Sequence, residues 1–246
     1  CNGPDGSNVG FFHTAALPCQ QPVGALHTEI AHAVGVLHDQ RVHRTGLQGV
    51  NRLDVRVERR EPEVVGALHL LDSLTVLTSG DFAGKKLIDV GCGAGFPGVP
   101  LAIGCPELDV TLLDSLGKRV HWLEEILPQL GVKATCITAR AEEAVIDRRE
   151  SYDIATSRAV ARLNILLELT APYVKVGGRV IAMKGMAARE ELEECGNAIK
   201  KLGLKLEDVR EFPVDGTNHA LIVLRKVAHT PTAYPRRYAK IKQTPL

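Results

Sequence analysis

From residue 87 onwards the chain alternates short apolar runs with segments whose apolar residues recur every three or four positions. The two periods predict strands and helices in turn. Leu87–Val90, Asp109–Asp114, Lys133–Thr138, Tyr152–Ser157 and Arg179–Lys184 read as strands. Helices are predicted from Pro97 or Gly98, over Lys118–Leu130 and, as a short one, from Arg140-Ala141-Glu142-Glu143. Further helices are expected over 160–173, closed by Gly177-Gly178, and around Leu192, Cys195, Ile199 and Leu202, with Gly203 as C-cap. In the Lys118–Leu130 helix Val120, Leu123, Leu127 and Leu130 form the apolar stripe, flanked by His121 and Trp122 in packing or surface roles. Upstream, Val64, Val65, Leu68, Leu71, Leu74 and Leu77 have helical period and predict a helix leading into the domain, with His69, Asp72 and Ser73 on its polar side. Leu204–Phe212 and Ala220–Val227 alternate around Asp215-Gly216 and predict a hairpin. The class is therefore α/β, a mostly parallel sheet closed by a carboxyl-terminal antiparallel hairpin.

The first predicted strand runs straight into Gly91-Cys92-Gly93-Ala94-Gly95. Glycine at alternate positions lets the backbone turn with positive φ and approach a ligand with no Cβ in the way. The helix that follows aims free N–H groups at the same place. Gly93-x-Gly95-x-x-Gly98 fits a dinucleotide fingerprint, while Gly91-x-Gly93-x-Gly95 fits the turn of S-adenosylmethionine (SAM) enzymes. Asp114 closes the second strand at the distance either ribose requires, where a carboxylate can accept both hydroxyls. Asp89 separates the two readings, because it would repel a pyrophosphate and attract the amino group and sulfonium of SAM. The terminal hairpin also departs from a purely parallel dinucleotide fold. Together they give a class I SAM-dependent methyltransferase fold, Rossmann-like, with SAM as cofactor. A nicotinamide-dependent oxidoreductase is the disfavoured alternative.

Length and charge refine this picture. The 246 residues suit one α/β domain with appendages, divided as 1–59, 60–228 and 229–246. Residues 1–59 contain no Lys and most of the His, and Gly and Pro scatter through 1–24 without periodicity, which predicts poor order there. This segment reads as a truncated or wrongly derived amino terminus. His27, His32, His38 and His43 are spaced off one helical face and read as unliganded. The six Cys form no C-x-x-C pair, so reduced, buried thiols are expected and no metal site. No run reaches the length of a membrane span and no signal peptide opens the chain. A net charge of +1 gives no global attraction to nucleic acid, so any such contact must be local. The tail 229–246 supplies one candidate: Arg236, Arg237, Lys240 and Lys242 interleave with Tyr234 and Tyr238. Cations and aromatics together suit phosphate contact and base stacking, though a solvated basic tail fits equally. Its prolines argue against a regular element. Lys184, at a strand tip, is a second cation facing the substrate side, with a surface ion pair as the bland reading.

Six separated stretches then occur in order: 60–74, 88–103, 112–124, 139–143, 152–168 and 230–246. In these the chain resembles the GidB/RsmG family of bacterial small-subunit ribosomal RNA methyltransferases. The likeness covers 60–246 and is not seen over 1–58. It implies methyl transfer from SAM to N7 of one guanine in 16S rRNA, as free RNA or in the small-subunit particle. It also implies cofactor contacts at Gly91 and Phe96, at Ala141 and Glu142, and at Arg158, beside Gly93, Gly95 and Asp114 of the glycine turn and ribose site. Phe96 would be a flat apolar wall. Arg158 could hold the cofactor or reach an RNA phosphate. Guanine N7 carries a free lone pair, so no general base and no catalytic acid–base residue is expected. Ser157-Arg158-Ala159-Val160 stands where an amino-group methylase would carry an Asn/Asp-Pro-Pro-aromatic motif. A cytoplasmic monomer, away from membranes, is expected. The alternatives are a SAM methyltransferase for another RNA or small molecule, and a non-catalytic RNA-binding protein that retains the fold.

Overall fold

A computed structural model describes residues 62–214 and 217–246. The expectations for residues 1–59, and for the Asp215-Gly216 turn, fall outside the described residues. Seven strands form one sheet: β1 (Lys86–Val90), β2 (Asp109–Asp114), β3 (Thr135–Thr138), β4 (Tyr152–Arg158), β5 (Val174–Lys184), β6 (Leu204–Val214) and β7 (Thr217–Lys226). Their spatial order is β3-β2-β1-β4-β5-β7-β6. The first five are parallel, and β7 runs antiparallel to both β5 and β6. The mostly parallel sheet and its terminal hairpin agree with the sequence.

Period-2 alternation sends side chains to two separate cores, one on each face of the sheet. From β1, Leu87 enters one core while Ile88 and Val90 enter the other. Strand β5 divides likewise, Ile181 and Met183 against Val180 and Ala182. Helices α2 (Gly98–Gly104) and α3 (Gly117–Ile126) cover the Leu87 face, where Leu101, Leu123 and Ile126 are fully buried. Helices α5 (Leu163–Thr170), α6 (Ala188–Glu193) and α7 (Gly196–Lys201) cover the other through Leu163, Leu166, Cys195 and Ala198. The chain winds outward from β1 through β2 to β3, then crosses back to β4. That reversal opens a crevice beyond the carboxyl ends of β1 and β4, where open α/β sheets bind ligands.

Several predicted elements shift for identifiable reasons. Helix α3 stops at Ile126, two residues before Pro128, which has no N–H to continue the ladder. Gly177-Gly178 do not close a helix; they lie inside β5 at a bulge, where Tyr152 pairs with Val174 but Ile154 with Arg179. A Cβ on Gly178 would sit 2.4 Å from the Asp153 carbonyl oxygen. The single helix expected near 192–202 is two, α6 and α7, broken at 194–195. The tail is ordered. It contains α8 (Tyr238–Gln243), which none of its prolines enters, and Ile241 within it is fully buried. The leading helix α1 (Pro62–Leu74), followed by a 3-10 turn (Thr75–Ser79), is rotated from the predicted face. Leu70 and Ser73 are buried, while Leu71 is 60% exposed.

Candidate functional site

At the carboxyl end of the parallel strands lies a cavity of about 790 Å³. Its floor is the glycine turn. Gly91, Gly93 and Gly95 all have positive φ, +74°, +59° and +91°. Gly91 also needs its lack of a side chain, since a Cβ there would lie 2.5 Å from Val160 Cγ2. The backbone N–H groups of Gly91 and Cys92 donate to the Leu113 carbonyl oxygen at 2.7 and 3.0 Å, tying the turn to the end of β2.

Asp114 finishes the tie. Its Oδ2 accepts from the Gly93 N–H at 3.0 Å and its Oδ1 from the Leu116 N–H at 2.8 Å. A carboxylate offers about four lone-pair sites, so this buried group keeps acceptor capacity towards the cavity it lines. The arrangement fits a ribose diol. Across the cavity, helix α4 (Ala141–Ala144) presents Ala141 and Glu142, and Tyr173 Oη fixes that helix by donating to the Ala141 carbonyl oxygen at 2.6 Å. Phe96 forms a wall, with the Arg158 guanidinium carbon 5.1 Å from its ring centroid. The structure thus brings Gly91, Gly93, Phe96, Asp114, Ala141, Glu142 and Arg158 around one cavity, with Gly95 buried just beneath.

Asp89 is elsewhere. It shares the Leu87 face of β1, is wholly buried, and does not line the cavity. Its Oδ2 accepts from the Gly98 N–H at 2.8 Å, capping the start of α2. Among the described residues its Oδ1 has no hydrogen-bond donor. Burial pushes its pKa up to about 7, against the opposing pull of the Gly98 N–H and of Arg158. Its charge belongs to the field beneath the turn, not to a ligand contact.

The expected RNA-facing cations divide. Lys184 is almost buried, pairs with Glu191 at 2.7 Å and donates to the Ala161 carbonyl oxygen. Arg236 grips the fully buried Glu168 through Nε at 2.8 Å and Nη2 at 2.6 Å, and its backbone N–H adds a third bond at 2.9 Å. Both are therefore engaged by the protein's own carboxylates, Glu191 of α6 and the buried Glu168 of α5. Arg237, Lys240 and Lys242 are exposed on the tail.

Other cavity residues lay hidden in the sequence. Tyr238 of α8 lines it, with the Arg140 guanidinium carbon 6.0 Å from its ring, and Lys118 and Trp122 of α3 line it too. Beside the cavity, buried Asp72 lies 3.4 Å from Arg158 Nη1 and 2.9 Å from His219 Nδ1. His69, at the cavity edge, is 3.3 Å from Arg158 through Nδ1. Helical period alone does not point to this cluster, which depends on the burial of Leu70, Asp72 and Ser73 on one side of α1. Among the described residues no group of His, Cys, Asp and Glu could hold a metal ion, and no helix is long and apolar enough to cross a membrane.

Comparison with known proteins gives this cavity its context. Among solved structures, M. jannaschii TYW2 in complex with AdoMet superimposes with a TM-score of 0.54 at 15% identity, over 65% of this chain and 77% of that one. A mutant of the 16S rRNA (adenine(1408)-N(1))-methyltransferase from Catenulisporales acidiphilia gives 0.52 at 17%, over 65% and 92%. These likenesses establish the class I methyltransferase fold. Sequence relatives are much nearer. Ribosomal RNA small subunit methyltransferase G of Thermoanaerobacter sp. (strain X514) is 43% identical over 86% of this chain and 90% of its own length. That of Clostridium beijerinckii is 46% identical over 72% and 77%. The GidB family, described as rRNA small subunit methyltransferase G, matches residues 45–219, so the likeness starts upstream of residue 60. This chain belongs to the GidB family of small-subunit rRNA methyltransferases, SAM-dependent enzymes.

Proposed function

We propose that this protein methylates N7 of one guanine in 16S rRNA. The observation that carries the reading is the end of β4. Ser157 is buried and its hydroxyl donates to the Val90 carbonyl oxygen at 2.7 Å, and the next residue, Arg158, is a permanent cation. Neither can take a proton from an amino group. A ring nitrogen with a free lone pair needs no such help, so this site suits N7 better than an exocyclic amine.

SAM, when bound, supplies a methyl group activated by a sulfonium sulfur. The chain's own residues bind and aim. The glycine turn would carry the backbone of the cofactor, Asp114 its ribose hydroxyls, and Ala141 with Glu142 its adenine. Phe96 would close one side, and Arg158 would meet an anionic oxygen of the cofactor or the RNA. Rate enhancement then comes from alignment and from a field arranged for positive charge moving onto the base. Exposed Arg237, Lys240 and Lys242, with Tyr238 beside them at the cavity, would meet the phosphates and bases of the substrate. The substrate is the rRNA or an assembling small-subunit particle, met in the cytoplasm by a monomer.

The test is transfer of labelled methyl from SAM to unmethylated small-subunit rRNA, followed by chemical cleavage at N7-methylguanosine. One cleavage site, lost in Gly91→Asp, is the expected result. Transfer without N7-specific cleavage would overturn the chemistry, and absence of both transfer and SAM binding would overturn the assignment as a whole.

A further inference from the structure

Three elements distant in sequence meet at Asp72. It lies in the last turn of α1, Arg158 ends β4 and His219 is the third residue of β7. Its side chain is about 5% exposed, and each oxygen has its own partner: Oδ2 with Arg158 Nη1 at 3.4 Å, Oδ1 with His219 Nδ1 at 2.9 Å. Among the described residues the hydrogen-bond contacts of Arg158 all run through Nη1, to Asp72 and to His69. Among the described residues Nη2 and Nε have no hydrogen-bond partner, and the side chain lines the cavity. His219, engaged through Nδ1, turns its other ring nitrogen away from Asp72, and its side chain forms part of a smaller cleft with Gly185, Met186 and Asn218.

The backbone that carries the carboxylate is held fast. Ser73 Oγ donates to the His69 carbonyl oxygen at 2.7 Å and Thr75 Oγ1 to that of Asp72, which locks the end of α1. Helix α1 packs so closely on α2 that a Cβ on Gly104 would lie 2.8 Å from Leu74 Cδ2. An arginine left to itself samples many rotamers. One gripped at a single nitrogen by a fixed, buried carboxylate presents the rest of its fork in one direction.

We propose that Asp72 is a positioning residue of the transfer site: it aims Arg158 at an anionic oxygen in the cavity and couples that aim to His219 on the terminal hairpin. The anion is a carboxylate on the cofactor or a phosphate on the RNA. This rests on the methyltransferase reading above, and the measurements separate the two.

Asp72→Asn keeps the shape and removes the charge. SAM affinity would be read by calorimetry without RNA, beside 5′-methylthioadenosine, which lacks the carboxylate, and KM and kcat on rRNA would be read separately. The melting temperature should stay within a few degrees of wild type. If the partner is the cofactor carboxylate, SAM affinity falls on the order of 100-fold while methylthioadenosine binding is unchanged. If it is a phosphate, SAM affinity holds and the rRNA KM rises by a similar factor. His219→Ala should give a smaller loss in the same arm and add nothing on top of Asp72→Asn. Wild-type SAM affinity, KM and kcat in Asp72→Asn would overturn the proposal, as would losses that merely track a lowered melting temperature. Should the Asn variant fail to fold, Asp72→Glu keeps the charge and displaces it by one methylene. It should lose the same affinity, and wild-type constants there would overturn the proposal too. Failure of the wild-type protein to methylate rRNA would instead strike the function, leaving the calorimetric arm to be judged alone.

Discussion

Asp89 keeps a carboxylate where nothing solvates it, and replacing it with Asn should have a pH-dependent effect on stability. The side chain is fully buried, one oxygen caps α2 through Gly98, and the other has no donor among the described residues. Its folded pKa of about 7 lies above the ordinary 3.8, so the folded state holds the proton more firmly than the unfolded chain. The stability it contributes is whole below pH 3.8 and is lost as pH rises through about 7. The gap corresponds to about 4 kcal/mol. Asn cannot ionise. Its carbonyl oxygen can still accept from the Gly98 N–H, while its NH₂ takes the place of the unpartnered oxygen and costs about 1–3 kcal/mol. At pH 8 the Asp89→Asn protein should therefore be more stable than wild type by about 1–3 kcal/mol. At pH 5 the order should reverse or the two should coincide. Urea unfolding of both proteins at the two pH values measures this directly, since groups common to both cancel. A difference of the same sign and size at both pH values would refute the reasoning, because it would mean that Asp89 does not titrate between them.

Gly98→Ala should lower stability by about 1–3 kcal/mol in thermal unfolding, as its Cβ would meet Leu112 Cδ2 at 2.3 Å and Asp89 Oδ2 at 2.9 Å; an unchanged melting temperature would contradict the packing there. Arg236→Ala strands the buried Glu168 and should lose about 3–5 kcal/mol, with new proteolytic cuts after residue 230; a tail as resistant as wild type would show that the ion pair does not hold it. Burial pushes the Cys195 thiol up to about 12 and that of Cys92 higher still. Alkylation of the native protein at pH 8 should spare both while Cys136, only half-buried, reacts before either of them; equal rates at all three would contradict their burial.

The sheet was legible because its strands obey a period of two on both faces, as Ile88 and Leu87 do, and because the glycine turn can serve little else. The cavity followed, since Gly91, Asp114 and Arg158 each stand at a strand end. What the sequence concealed depended on partners far along the chain. Asp72 is drawn inward by residues 86 and 147 positions away, and helical period alone could not choose between Leu70 and Leu71 as the buried leucine of α1. Glu168 is the exception. A carboxylate within the apolar helix LNILLELT requires a cation, and the tail provides it. Lys184 and Arg236 look outward-facing in the sequence for the same reason, because their carboxylates lie on other elements.

The tail has a consequence for when the protein becomes competent. Lys226, buried among the Ala171 carbonyl oxygen, Thr230 and Glu150, anchors its beginning, Arg236 its middle and Ile241 its end, and this brings Tyr238 to the cavity. Synthesis runs from the amino end, so the sequences of all seven strands are made before Tyr238. Until the tail docks, the domain would lack a partner for Glu168 and one wall of its cavity. Premature stop codons after residue 230 should for this reason behave as severe alleles, although they leave all seven strands encoded.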